Sequence, residues 1–172
     1  MKTRRVFSAP DIGTAEAALV DLALGGAVEG QAHLLEVDDG VDGLLAHDLG
    51  SVLVHHGKII GRGHNQRVQK GSTTLHGEMD ALENAGRQPA RVYQESVIYT
   101  TLSPCPMCSG AIALYGIPKV VVGENQTFMG EEGWLRSRGV AVEVLQDPTC
   151  VHLMRDFIAA EPQLWNEDIG EP

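Results

Sequence analysis

The chain has 172 residues, of which 43% are hydrophobic and 21% are charged, a composition that suits one compact domain with a substantial core. No stretch approaches the roughly 20 apolar residues that a bilayer crossing needs, and the start of the chain lacks an apolar signal core, so we expect a cytoplasmic protein with no membrane partner. With 13 basic and 23 acidic residues the formal charge is −10, which disfavours a nucleic-acid partner and favours a small neutral or cationic substrate.

The chain divides near Gly50 into a weakly patterned segment and a regularly patterned remainder. Residues 1–50 are acidic and rich in Gly and Ala. Within them Thr14 to Leu24 predicts a helix with a threonine cap, whereas Asp-Gly punctuation over residues 27–48 indicates turns only. We therefore predict a divergent N-terminal segment that packs on a functional domain over 51–172.

The remainder alternates strands with helices. Apolar and β-branched runs predict five strands, at Ser51 to His55, Ile59 to Gly63, Ser96 to Thr101, Lys119 to Gly123 and Ala141 to Leu145. Helix formers and capping residues predict four helices, at Glu78 to Ala85, Pro104 or Pro106 to Tyr115, near Glu131 to Arg138, and Pro148 to Ala160. On composition alone, a tail this polar would fray. The alternation predicts an α/β fold, a three-layer α/β/α sandwich with ligands at the carboxyl ends of its strands.

Two short segments, each placed where a loop enters a helix, carry the candidate chemistry: Thr74 to Glu78 (TLHGE) and Ser103 to Cys108 (SPCPMC). Cys105 and Cys108 are spaced i, i+3, so both thiols project from one helical turn and can reach one ion. His76 supplies a third ligand. Three protein ligands leave a fourth position for water, which distinguishes a catalytic zinc from a structural one. The positive ends of both helix dipoles help to keep the thiols ionised.

Glu78 stands two residues after the histidine, close to the open position without being a ligand. Zinc lowers the pKa of bound water to about 7. The Glu78 carboxylate can then carry a proton from that water to a ring nitrogen and on to a leaving amine. His-x-Glu followed by Pro-Cys-x-x-Cys is the signature of the zinc-dependent nucleobase deaminases.

Other interpretations of these residues are weaker. A thioredoxin-like redox pair is disfavoured by the proline between the cysteines and by the upstream His-x-Glu. A four-ligand structural zinc would need Cys150 or another histidine, and Cys150 lies far along the chain and is expected to be a buried free thiol. A non-catalytic zinc domain is the rival from another class, and the presence of Glu78 argues against it. The other histidines lack metal-ligand spacing and are expected to be surface or packing residues: His33, His47, His55, His56, His64 and His152.

From about Gly50 onward the chain resembles the fungal-type cytosine deaminases of the cytidine deaminase-like superfamily. The match extends beyond the zinc motifs to GRGHN (Gly61 to Asn65), QKGS (Gln69 to Ser72), LEN (Leu82 to Asn84), YTTLSPC (Tyr99 to Cys105), YGIP (Tyr115 to Pro118), VVGEN (Val121 to Asn125) and EDIGE (Glu167 to Glu171). The glycine of His-Gly-Glu is discriminating, since related adenosine and guanine deaminases usually have alanine there. The resemblance implies a homodimer with a central mixed five-stranded sheet, one Zn²⁺ per subunit, and hydrolysis of cytosine to uracil and ammonia.

The resemblance also implies a set of substrate contacts. Asn65 would hydrogen-bond the polar edge of a pyrimidine, and Asp168 would accept a hydrogen bond from the exocyclic amine. Two aromatic side chains would close and stack the pocket. The full set is Asn65, Leu102, Ser103 and Asp168, the aromatic residues Phe128 and Trp165, and Leu49 on the N-terminal wall.

The sequence departs from the family pattern in two places. Leu44 to Gly50 replaces a Val-Pro-Ile-Gly type of strand entry, and Asn166 stands where the fungal enzymes have an aromatic residue. The second departure predicts a more polar pocket lid, so isocytosine and creatinine are alternative substrates. A tRNA adenosine deaminase is disfavoured by the acidic charge.

Overall fold

The computed structural model describes residues 50–172 of the chain. The helix predicted over Thr14 to Leu24 and the predicted pocket residue Leu49 lie outside the described residues, and the division near residue 50 stays a prediction. Within residues 50–172, no helix is long and apolar enough to cross a bilayer.

Five strands form one mixed sheet: β1 (Gly50–His55), β2 (Lys58–His64), β3 (Ser96–Leu102), β4 (Lys119–Glu124) and β5 (Ala141–Val144). Their order is β2-β1-β3-β4-β5. β1 runs antiparallel to both of its neighbours, while β3, β4 and β5 are parallel. The predicted mixed five-stranded sheet is confirmed, and β-branched residues dominate its central strands, as the pleated surface favours.

In the described part of the chain, six helices surround the sheet: α1 (Gly77–Asn84), α2 (Ala90–Gln94), α3 (Pro106–Tyr115), α4 (Glu132–Ser137), α5 (Pro148–Ala160) and α6 (Pro162–Ile169). Proline opens α3, and Gly116 ends it in the left-handed conformation at φ 69°. The Asp147 side chain caps α5 by accepting hydrogen bonds from two backbone N–H groups of its first turn. All four predicted helices are confirmed.

The chain after residue 160 forms a further helix, which the local sequence pattern did not predict. Residues 162–169 form α6, which begins at a proline and buries Trp165 to 8% exposure. Trp165 packs with Met154 and Phe157 of α5. Burial of the large Trp165 ring docks the helix, because it offsets much of the cost of ordering the segment.

Alternation along the strands divides the core into two layers. Ile98 of β3 packs with Leu82 of α1 and Ile112 of α3, while its neighbour Tyr99 points to the other face and packs with Val52 and Val121. Helices α1 to α4 contribute to the first layer, and α5 covers the second face against β4. The predicted three-layer sandwich is confirmed.

The backbones of β2 and α1 approach each other closely at two glycines of β2. A Cβ added to Gly63 would lie 2.1 Å from the backbone nitrogen of Ala81 and 2.4 Å from the carbonyl oxygen of Gly77. Gly63→Ala is therefore expected to lower the free energy of unfolding by about 1–3 kcal/mol, because neither backbone atom can move without shifting α1. Urea denaturation measures the change.

Gly133→Ala is the matched control, since a Cβ at this exposed position in α4 meets nothing within 4 Å. It should leave stability unchanged or raise it by about 0.5–1 kcal/mol. Equal stability of the Gly63→Ala protein and the wild type would contradict the close packing of β2 on α1.

Candidate active site

His76 and Cys105 occupy the N-cap positions of α1 and α3, with nearly the same backbone angles (φ −67°, ψ 166° and φ −65°, ψ 172°). Neither side chain caps its own helix by a hydrogen bond. The two side chains face each other instead, with Cys105 Sγ 3.5 Å from His76 Nδ1. Two helix N-termini thus meet at one point, where their dipoles favour negatively charged ligand atoms.

Cys108 completes a group of three potential metal ligands. The ligand atoms of His76, Cys105 and Cys108 all lie within 4.8 Å of one another. Zinc with tetrahedral bonds of about 2.3 Å to sulfur and 2.0–2.1 Å to nitrogen separates such atoms by about 3.6 Å. The 3.5 Å between Cys105 Sγ and His76 Nδ1 matches that separation. The donor set and its spacing therefore fit zinc, with three protein ligands and room for a fourth ligand.

The ionisation of these ligands also suits a metal. A hydrogen bond from Cys108 lowers the pKa of Cys105 to about 4, so this thiol is ionised at neutral pH. The same hydrogen bond, together with burial, raises the pKa of Cys108. Burial lowers the pKa of His76, but the hydrogen bond and charge of Cys105 outweigh it and the pKa rises above its usual value. One thiolate is thus already present to attract a cation.

Glu78 lies in the first turn of α1, beside the three ligands, and is 7% exposed. Burial raises the pKa of its carboxyl group above the usual value. The hydroxyl of Thr100 on β3 donates a 3.0 Å hydrogen bond to Glu78 Oε1. Thr100 therefore fixes the orientation of the carboxylate, a role that sequence reasoning missed because a threonine in a β-branched strand has no distinguishing pattern.

A pocket opens beside this group, at the carboxyl end of β3. The structure brings together all the predicted site residues that it describes, with Cys108 buried beneath the pocket floor. The predicted residues that line the pocket are Asn65, His76, Glu78, Leu102, Ser103, Cys105, Phe128, Trp165 and Asp168. Sequence reasoning missed Gly50, Gly77, Thr100, Thr101 and Ile169, which also line it.

The polar end of the pocket is a three-residue network. Asn65 Nδ2 donates to Asp168 Oδ2 at 2.5 Å, and Arg67 Nη1 donates to Asp168 Oδ1. The Asp168 side chain is 6% exposed, so its charge is held by partners rather than by water. The network ties α6 to the loop after β2, across about 100 residues of sequence, and Arg67 is a further residue that sequence reasoning missed.

Two aromatic rings form a pocket wall. Phe128 and Trp165 meet edge to face with ring centroids 5.8 Å apart, and Trp165 makes a second edge-to-face contact with Phe157 at 6.4 Å. Asn166 is absent from the described pocket lining. One helical residue beyond Trp165, the Asn166 side chain points about 100° away, and the polar lid stays a prediction.

Three buried carboxylates hold the loops that carry these residues. Asp80 accepts hydrogen bonds from the backbone N–H of His64 (3.1 Å) and from Lys70 Nζ (3.2 Å), which fixes the loop leading to His76. Glu124, at the end of β4, accepts from the backbone of Gln126 (2.6 Å) and Thr127 (3.1 Å) in the segment that precedes Phe128.

The third anchor is Glu132, whose Oε1 accepts from both Ser103 Oγ and Asn125 Nδ2 at 2.9 Å. This bond uses the one proton of the Ser103 hydroxyl, so the hydroxyl cannot also donate to a bound ligand. Such buried charges are tolerable only because each is hydrogen-bonded.

Comparison with known proteins identifies relatives of this arrangement. Residues 42–124 match the profile of the cytidine and deoxycytidylate deaminase zinc-binding region. The chain is 58% identical over 113 residues to a cytosine deaminase of Candida albicans, covering 66% of this chain and 75% of that protein. It is 41% identical over 86 residues to a tRNA-specific adenosine deaminase of Streptococcus pyogenes, covering 49% of this chain and 54% of that protein.

A solved tRNA deaminase that edits the wobble position superposes with a TM-score of 0.50 at 25% identity, covering 62% of this chain and 84% of that one. The fold around the three ligands is therefore shared with solved deaminases.

Cys105→Ser is expected to weaken zinc binding by more than about 100-fold. Even the loss of a residue that only hydrogen-bonds a metal ligand lowers metal affinity by about 10- to 100-fold. Elemental analysis of the purified protein would then find zinc lost. Cys150→Ala is the control: Cys150 is also buried, at 1% exposure, but lies outside the ligand group. A full zinc content in Cys105→Ser would contradict the site.

Proposed function

The chain belongs to the cytidine and deoxycytidylate deaminase family, and we propose that the reaction it catalyses is the hydrolysis of cytosine to uracil and ammonia. The enzyme is a hydrolytic deaminase that breaks a C–N bond. The observation that supports the choice of cytosine is the 58% identity to the Candida cytosine deaminase, in a match that covers 75% of that protein.

The pocket chemistry supports a small, flat heterocycle as substrate. The Phe128–Trp165 wall suits stacking on a ring, and α6 also contributes Asp168 and Ile169 to the pocket lining. The Asn65–Asp168 pair and the ligands His76 and Cys105 line the same pocket. An amino-pyrimidine suits this arrangement, since its carbon–nitrogen bond would face the metal ligands with its amine within reach of Asp168.

Zinc held by His76, Cys105 and Cys108 would supply a hydroxide nucleophile at neutral pH. Glu78 is the proton-transfer residue. Fixed by Thr100, its carboxylate takes the proton from the attacking water, passes it to the ring nitrogen, and delivers a proton to the amine that leaves as ammonia. Water adds and ammonia departs, so the equation balances without any other reactant.

Asn65 and Asp168 orient the substrate in this proposal. Each oxygen of Asp168 has one partner in the network and keeps a second lone pair, which can accept a hydrogen bond from the exocyclic amine. The Asn65 carbonyl oxygen accepts from the backbone of Arg67 at 3.0 Å, which fixes the direction of its amide group. Leu102 and the backbone of Ser103 complete the contacts with the ring.

A polynucleotide substrate is less well supported. The formal charge of −10 repels phosphate backbones. The identity to the tRNA-specific relative is 41%, in a match that covers 49% of this chain. The resemblance to fungal cytosine deaminases supports one zinc ion per subunit, a homodimer, and a place in cytoplasmic pyrimidine salvage, which we include in the proposal.

The purified protein is expected to release ammonia from cytosine with a higher kcat/KM than from isocytosine, creatinine, cytidine, guanine or adenine. Glu78→Gln should lower kcat on cytosine by about 10²- to 10⁴-fold, the usual contribution of a proton-transferring group, while zinc content stays unchanged. A coupled ammonia assay and elemental analysis measure the two quantities.

Glu83→Gln is the control, because Glu83 lies on the same helix but is exposed. It should retain wild-type turnover. If isocytosine or creatinine is turned over faster than cytosine, that compound replaces cytosine as the proposed substrate. Full activity of Glu78→Gln would refute the assignment of proton transfer to Glu78. Zinc retained without ammonia release from any of the six compounds would favour a non-catalytic zinc domain.

Asp168→Ala is expected to raise the KM for cytosine by about 10- to 150-fold, since a lost hydrogen bond to a charged group costs about 1.5–3 kcal/mol. Steady-state kinetics measure the change. Glu167→Ala, one residue away on the exposed side of α6, should leave KM unchanged. An unaltered KM in Asp168→Ala would show that this carboxylate serves only to hold α6.

A further inference from the structure

A second cluster of potential metal ligands lies at the opposite end of the sheet from the pocket. It consists of His55, His56 and Glu95, whose ligand atoms all lie within 4.8 Å of one another. β1 begins at Gly50, which lines the pocket, and ends at His55, so the two sites are about 16 Å apart along the strand.

Strand pairing brings the three residues together. His55 is the register partner of Ser96 across β1 and β3, so Glu95, directly before β3, lies alongside the turn between β1 and β2. His56 begins that turn at φ 48°, a left-handed conformation that favours Gly or Asn. The backbone thus places two adjacent imidazoles on the same carboxylate, with ring centroids 4.1 Å apart.

The distances suit a shared cation. His56 Nε2 lies 3.1 Å and His55 Nε2 3.6 Å from Glu95 Oε2. Tetrahedral bonds of about 2.0–2.2 Å from one metal ion separate nitrogen and oxygen ligands by about 3.4 Å, which lies between these two values. His55 Nε2 is also buried without a hydrogen-bond partner among the residues that the structure describes. A metal ion would give this nitrogen a partner.

The two oxygens of Glu95 have different neighbours, and Oε2 faces the two imidazoles, with a 3.1 Å hydrogen bond to His56 Nε2. Arg91 Nε donates to Glu95 Oε1 at 3.0 Å, so the positive neighbour occupies the other oxygen. The Arg91 side chain is 81% exposed and can turn into solvent when a cation binds. The His56 side chain is 64% exposed, which leaves a route for the ion and coordination positions for water.

We propose that His55, His56 and Glu95 form a second metal site, which takes a divalent transition-metal ion such as Zn²⁺, Ni²⁺ or Cu²⁺. Two imidazoles select these ions over Mg²⁺ and Ca²⁺, which prefer oxygen ligands. The bound ion joins the β1–β2 turn to the start of β3. Spacing rules missed this site because adjacent histidines match no ligand motif and Glu95 is 39 residues away from His56.

Zinc titration of the zinc-loaded, full-length protein by calorimetry tests the proposal. The wild type is expected to bind a second equivalent of Zn²⁺. His56→Asn, which retains a residue suited to the left-handed turn, and Glu95→Gln should each weaken this event by at least tenfold. Electron paramagnetic resonance with one added equivalent of Cu²⁺ should show coupling to two imidazole nitrogens in the wild type and to fewer in His56→Asn.

His152→Ala is the matched control. It removes another exposed histidine–carboxylate pair, with His152 Nε2 3.2 Å from Asp156 Oδ2, but this pair has a single imidazole. The second binding event should persist in it. The proposal is overturned if the wild type binds no second equivalent, or if His56→Asn and Glu95→Gln bind it with wild-type affinity. Cytosine turnover plays no part in this test, so its outcome is independent of the proposed activity.

Discussion

The meeting of two helix N-termini is the constraint on which the site depends. An N-cap side chain normally turns back to its own helix, yet His76 and Cys105 turn toward each other. Each leaves the free N–H groups of its helix aimed at the same small volume. Anionic sulfur ligands are stabilised there, and a cation can in turn neutralise them. Any tilt of α1 relative to α3 would separate the ligands, so the surrounding packing has to keep the two helices in place.

Buried carboxylates supply much of that fixation. Asp80 joins α1 to the loop after β2, Glu124 shapes the segment before Phe128, and Glu132 joins that region to Ser103. Each is at most 4% exposed and would be costly without its partners. These anchors hold irregular loops, which hydrophobic packing alone specifies poorly. Some of the acidic residues that make the chain unsuited to polynucleotides therefore also stabilise its loops.

Local patterns predicted most of this fold, because strands and capped helices carry their signals within a few residues. The exceptions depend on distant partners. α6 forms because Trp165 packs on α5, and nothing within a polar tail indicates that contact. Thr100 and Arg67 matter through Glu78 and Asp168, which lie 22 and 101 residues away. The zinc ligands were predictable because binding one ion requires the spacing that the sequence shows at the starts of two helices. The helix α2 was not predicted, because it has only five residues and no side-chain cap.

The alternation along β3 has a consequence for how the length of this chain can change. Ile98 and Thr100 point to the α1 side, where one fills the core and the other holds Glu78. Thr101 points the opposite way and bonds with the backbone of Gly50. Insertion or deletion of a single residue between Ser96 and Thr100 would exchange these faces, removing a core contact and the carboxylate's support in one event. Differences in length among related proteins should therefore accumulate in the loops, and β3 should keep its residue count even where its sequence drifts.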